Sequence, residues 1–335
     1  MPKYFFASLL FLYGLATSAV AAGMEIAPFR TTNQSPLKQI FGIPSETGTA
    51  IITRGNIGVS LTEDIANGYA FSSTRREWII QDFESYRWTM AARYGLGERF
   101  EVGIEIPYIL YGGGFLDSFV IDWHDFFQLP QGGRDIVPKD HLRLRYSKNG
   151  VTKLNFEHAG SGIGDISLTG GMQIYDSRID RVHNSLALRG TLKLPSGDSS
   201  ELRGSGSIDL SLLLCGSMNN LTEWGTVGLF GSIGGMAMSN GSVLTGQQQN
   251  LVGLVNIGTG WAPAEWISFK AQLNITSPFY SKSSLDELSG ASMMLVLGGS
   301  IKLPGDYLLD IGVSEDVLVA TAPDVAFHFG LSKHF

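Results

Sequence analysis

From about residue 48 onward, apolar and polar positions alternate with a period of two, the spacing of a strand with two different faces. Between Trp78 and Gly95, Ile80, Tyr86, Trp88, Met90, Ala92 and Tyr94 share one face; Gln81, Ser85, Arg87, Thr89, Ala91 and Arg93 share the other. Phe100, Val102, Ile104, Ile106 and Tyr108 follow, opposed by Glu101, Gly103 and Glu105, with Gly95–Arg99 as the tight turn between. The pattern returns at Ile267, Phe269, Ala271, Leu273 and Ile275, which alternate with Ser268, Lys270, Gln272, Asn274 and Thr276. The last segment, Asp324 to Phe335, puts Val325, Phe327, Phe329 and Leu331 on one face and Ala326, His328, Gly330 and Ser332 on the other. An apolar face opposite a small, polar one fits lipid on one side and a wet lumen on the other.

Further strands are expected near 48–62, 163–176, 184–195, 206–218, 223–236, 249–262, 290–303 and 305–314. The total of about twelve is even, as single-chain bacterial barrels require. Residues 141–157 read as an extra hairpin around Asn149-Gly150; counted as two spanning strands it raises the number to about fourteen. Its runs lack strong lipid faces, so twelve is preferred. The fold class is therefore all-β: a transmembrane antiparallel up-and-down barrel over residues 48–335. Short connections at Pro304-Gly305 and Pro263–Glu265 suit periplasmic turns. The longer 237–248, 277–289 and 315–323, and above all the loop 111–162, suit the extracellular side.

The start of the chain agrees. Lys3 is the only charge before Glu25, Tyr4–Leu15 is apolar, and small residues surround position 22, so residues 1–22 read as a signal peptide. Residues 23–47 show no strand period and are expected to form a periplasmic or plug segment. No later run of about 18 residues is uniformly apolar, so any spanning is by strands. Only 16% of residues are charged, as a lipid-facing wall needs. Without the leader, 23 basic and 31 acidic residues leave a net charge of −8, which excludes nucleic acid as a natural partner. Cys215 stands alone, so neither an internal disulfide nor a thiolate metal cluster is expected. No cofactor and no metal are called for.

Two sets of residues could carry function. Inward positions collect both signs of charge: Arg54, Arg87, Arg93, Arg189, Lys193, Lys270 and Lys302 against Glu101, Glu105, Asp165, Asp209 and Asp310. Arg93 and Glu101 flank the 95–99 turn and are expected to pair across it. The second set lies in the long loop. Gly112–Gly114 opens it; Leu116, Phe119, Val120, Trp123, Phe126 and Phe127 then recur at helical spacing, and Pro130 stops the run. Asp117, Asp122, Asp125 and His124 occupy the other side, with Arg134 beyond. A short amphipathic helix there is expected to be a plug, a lid or a ligand grip. Asp82 and Glu84 break the apolar face of their strand and require that part to project beyond the hydrocarbon.

The hairpin RYGLGERFEVGIEIPY (Arg93–Tyr108) and the loop GGGFLDSFVIDWHDFFQLPQGGR (Gly112–Arg134) resemble a family of proteobacterial outer-membrane proteins known only as a domain of unknown function. The segments LPSGD (Leu194–Asp198) and GSGSIDL (Gly204–Leu210) are similar to barrel proteins tied to aromatic-compound degradation. The resemblance implies an outer-membrane barrel and supplies no catalytic residues. The last strand, ending in Phe335, resembles the segment that barrel assembly machinery recognises. Outer-membrane lipid, including lipopolysaccharide, is the other expected partner.

A channel or transporter for a small or amphiphilic molecule is the expected function, with a structural or surface-interaction barrel as the alternative. A lipid hydrolase would need a His closely followed by Ser and Asn; His158-Ala159-Gly160-Ser161 lacks the Asn.

Overall fold

A computed structural model describes residues 24–128, 131, 133–318 and 321–335. The expected signal peptide, and Pro130 as a helix stop, lie outside these residues. The strands are β1 (Ile57–Ser73), β2 (Glu77–Gly95), β3 (Phe100–Gly112), β4 (Arg143–Lys148), β5 (Val151–Phe156), β6 (Gly160–Ile163), β7 (Ser167–Ile179), β8 (Val182–Lys193), β9 (Asp209–Thr222), β10 (Gly225–Met238), β11 (Leu251–Ala264), β12 (Ile267–Thr276), β13 (Ser292–Leu303), β14 (Tyr307–Asp316) and β15 (Val325–His334). Twelve of them close a ring: β1, β2 and β3, then β7 to β15, with β15 antiparallel to β1 from Gly58↔His334 to Asn67↔Val325. Closure leaves no free edge, the condition for β-structure in lipid.

The hairpin β4–β5 and the short β6 stand outside the ring. β4 pairs with the top of β2 (Asp82↔Arg143), and β6 with the top of β3 (Tyr108↔Ile163). Between β6 and β7, residues 164–166 oppose only Ile106 and Pro107. A proline has no N–H for the ladder, so the strand is interrupted there.

The alternation sorts as expected. Outward positions such as Leu61, Met90, Val102, Leu212, Ile233, Ile257, Phe269 and Leu331 are exposed, while their neighbours on the inner face are buried polar groups. Exposed apolar side chains around a closed ring suit a hydrocarbon surround. At one end the connections are short, at 96–99, 180–181, 223–224, 265–266 and 304–306; at the other lie the long loops. Among described residues no helix is long and apolar enough to cross a membrane.

The first strand differs from the expected 48–62. It starts at Ile57 and runs to Ser73, because residues 48–56 belong to the interior and make no ladder with the wall beyond an isolated bridge at Arg54↔Gly95. Arg54 is accordingly exposed in the turn before β1 and is not a lumen residue.

Candidate functional site: a lumen filled by the N-terminal segment

Residues 24–56 contain neither helix nor strand, yet most of them are buried. They run inside the ring from the short-turn end toward the loops and back. On the way up, Ile26 N donates to Asn219 Oδ1 (2.8 Å) and Phe29 N to Gln272 Oε1 (2.7 Å). Thr31 Oγ1 then donates to Asp64 Oδ1 (2.7 Å), and Asn33 Nδ2 to Ser292 Oγ (2.9 Å). The segment turns over residues 35–41 at the loop end. On the way down, Gly42 N donates to Asp209 Oδ2 (2.8 Å), Ser45 Oγ to Glu105 Oε1 (2.9 Å) and Ile52 N to Glu101 Oε2 (2.6 Å). Gly55 N finally donates to Gly95 O (3.0 Å) at the short-turn end.

The interior has two zones. At the loop end Leu37, Ile40 and Phe41 pack into an apolar core with Tyr111, Tyr146, Phe156, Phe279 and Tyr280. Phe41 stacks on Phe279 with ring centres 5.1 Å apart. The β4–β5 hairpin supplies Leu144, Tyr146 and Phe156 to this core and so roofs the lumen. Lys38 is buried in the same zone; burial lowers its ammonium to about 8, with Asp316 and Glu287 opposing.

Outside this core the interior is ionic, and most expected lumen residues meet in three clusters, the first and third toward the short turns and the second at the loop-side ends of β8 and β9. Glu101 receives Arg93 (3.0 Å) and Arg189 (2.7 Å). Beside them, Glu46 of the segment receives Arg30 (2.8 Å) and Arg93 (3.4 Å). Burial pushes the Glu46 carboxyl up, but Arg30, Arg93 and Arg189 outweigh it and hold it well below its ordinary range. In the second cluster Lys193 Nζ bridges Asp165 (2.6 Å) and Asp209 (3.1 Å). Gly42 lies against this pair; a Cβ there would stand 2.9 Å from that of Lys193, so only glycine lets the backbone reach Asp209. In the third, Lys270 pairs with Asp310 (2.8 Å) and caps the ring of Phe29 at 3.9 Å. Arg87 is separate and donates to Gln39 O (2.8 Å). Lys302 is more exposed and pairs with Asp306 (3.2 Å) at the mouth. There a cavity of about 330 Å³ is lined by Arg30, Glu46, Asn219, Lys270, Lys302 and His334.

The loop residues are elsewhere. The helix α1 (Asp117–Phe127) lies on the outer wall, not in the mouth. Its Leu116 and Val120 side pack on outward residues Ile65, Val313, Val325 and Phe327. Phe119 meets Phe327 (5.7 Å), and Trp123 Nε1 donates to Glu315 Oε1 (2.9 Å). Beneath the loop, Arg134 is buried between Asp117 (3.0 Å), Asp324 and Asn67 Oδ1. Glu84 accepts from the N–H groups of Phe115 (3.2 Å) and Leu116 (2.9 Å). Asp82 and Glu84 are both buried beneath the loop. His124 is buried, Asp122 and Asp125 are exposed, and Phe126 is 79% exposed. Of the loop residues singled out in the sequence, Asp117 and Arg134 thus form one buried pair, and Phe119 and Trp123 pack together on the wall (5.9 Å). His158 pairs with Glu201 (3.0 Å) and Ser161 with Tyr108 (2.9 Å), so neither engages the other as a hydrolytic pair.

The wall residues that hold the segment were only half visible in the sequence. Gln272 and Asn274 fall on a polar face by periodicity, but nothing in their spacing says that they meet a distant segment. Asn219 and Asp64 carry no signal of their own.

Residues 7–335 match the family described as a protein of unknown function, DUF3187. The chain belongs to this family. No curated protein matches it. Among solved structures it is similar to the COG4313 outer membrane channel from Pseudomonas putida F1, with 15% identity and a TM-score of 0.53 over 86% of this chain and 97% of that one. It is also similar to the translocator domain of the autotransporter NalP from Neisseria meningitidis (10%, TM-score 0.40, 84% and 88%). A third is the toluene transporter TodX of P. putida (8%, TM-score 0.30, 83% and 87%). At such identities the first likeness establishes a shared β-barrel fold.

Proposed function

We propose that the protein is an outer-membrane channel or transporter held shut by its own N-terminal segment. The observation that carries the reading is the path of residues 24–56: both arms lie at the short-turn mouth, so the segment can withdraw as a loop without threading. The charged lining it engages is that of a solvated lumen. In this reading the short turns face the periplasm, and α1 rests on the outer leaflet through exposed Phe115 and Phe126. The similar structure from P. putida F1 is itself named a channel. A structural barrel is the second reading, favoured by the apolar core at the loop end.

Planar-bilayer conductance separates the two. A protease site inserted between exposed Arg54 and Gly55 allows the folded chain to be cut from its segment. Cutting, followed by extraction of the segment in mild denaturant, is expected to raise conductance at least tenfold. A barrel that stays silent after its segment is removed would leave the structural reading.

A further inference from the structure

We infer that the lumen is built to hold an extended polypeptide main chain, so that the molecule it admits is a short peptide; this rests on the channel reading. A buried segment needs partners for its N–H and C=O groups whatever its purpose, so the number of bonds decides nothing. Their kind and spacing do. Over residues 24–34 and 44–52 no main-chain to main-chain hydrogen bond runs within the segment; Glu46 accepts from Gly48 N (3.1 Å) and Gln34 donates to Thr32 O (3.1 Å), and side chains of the wall serve other main-chain groups. Gln272 accepts from Phe29 N and donates back to Phe29 O (3.4 Å), as a neighbouring strand would. Asn274 Nδ2 reaches Thr31 O (3.4 Å), two residues on. On the returning arm, Arg189 donates to Gly48 O and Ala50 O, and Glu101 accepts from Ile52 N (2.6 Å). Contacts at 29 and 31, and at 48, 50 and 52, repeat every second residue, the period at which an extended chain presents the same edge.

Main-chain recognition of this kind gives affinity with little regard to sequence, while pockets for alternate side chains add preference. Two such pockets are visible. Phe29 lies under Lys270 and edge-on to His328 (6.0 Å), and Ile26 packs with Phe230 and Ala262. The segment is then a resident occupant of a site that a free peptide can share. The amide and charged lining would give an unsubstituted hydrocarbon no partner for its polar groups.

The test uses the full chain cut at residues 54–55 after folding, so that no variant has to fold without its segment. Displacement of the cut segment by fluorescent peptides is read by anisotropy, alongside conductance of the same sample. A peptide of residues 24–52 should displace it. A scrambled peptide that keeps Phe at the same position should do so within about tenfold. The native peptide N-methylated at the Phe29 nitrogen should be at least tenfold weaker, and that difference should vanish in Gln272→Ala. Exchange confined to the native sequence, indifference to N-methylation, or equal displacement by an oligosaccharide would each overturn the inference. Conductance without peptide exchange overturns it while leaving the channel reading in place. Exchange without conductance overturns the channel reading and the substrate class with it.

Discussion

Replacing Lys193 by methionine is expected to destabilise the barrel by about 3–5 kcal/mol, the usual cost of stranding a buried charge without its partner. Lys193 is 2% exposed, and its ammonium is shared between Asp165 and Asp209, which are themselves buried. Methionine fills nearly the same volume, so the loss is electrostatic rather than steric. The same ammonium also reaches Ile40 O (3.3 Å), and Asp209 holds Gly42 N, so the turn of the segment should loosen with the wall. The denaturant midpoint of the folded species, read by heat-modifiable gel mobility, measures the effect. Adding Asp165→Asn and Asp209→Asn removes the stranded charges and should recover most of the loss, since a neutral hydrogen-bonded cluster carries no charge-burial penalty. An unchanged midpoint for the single variant would mean that water reaches the cluster and that the interior is open there.

Arg134→Ala should produce a second large effect, confined to the outer wall. Arg134 is 2% exposed and neutralises Asp117 and Asp324 where the loop crosses β1 and β15. Burial raises the Asp324 carboxyl, and Arg134 is the main group opposing that rise. Without the guanidinium, acids sit together under an apolar helix at a local cost of about 3–5 kcal/mol. The loop 113–140 is expected to leave the wall while the ring, closed by its own ladder, stays folded. Limited proteolysis within 113–140 should become at least tenfold faster, and Trp123 emission should shift to the red as its bond to Glu315 is lost. Arg134→Lys should restore part of the protection, because charge is kept but the planar fork is not. Protection unchanged in Arg134→Ala would mean that the apolar contacts of Leu116 and Val120 alone hold the loop.

A smaller outcome isolates that apolar term. Val120 is fully buried against the wall, so Val120→Asp should release α1 without disturbing the Arg134 cluster directly. The same proteolysis assay reads it, and continued protection would show that the helix is held by the polar cluster.

Strand positions after residue 76 were legible because a wall between lipid and lumen forces every second residue to one side. The ends of β2, β3 and β9 to β15 follow the alternation to within about four residues, in keeping with the usual uncertainty of such boundaries. The hairpin outside the ring was legible for the complementary reason, since Arg143, Arg145 and Lys153 leave it no lipid face. β1 was placed poorly. Its upper half, Glu63 to Ser73, mixes polar and apolar residues on its outer face because the loop, not lipid, covers it there.

The sequence by itself determined an antiparallel barrel, a preferred count of twelve strands, and most of the charges that face inward, Arg54 excepted, since each of these follows from local alternation between neighbours one and two residues apart. Only the tertiary structure decided what fills the lumen and what lies on the wall. Phe29 and Gln272 are 243 residues apart, and Arg134 and Asp324 are 190 apart. No periodicity links such pairs. A segment without regular structure carries no pattern of its own, and its place is set by which buried N–H and C=O groups the finished wall can satisfy.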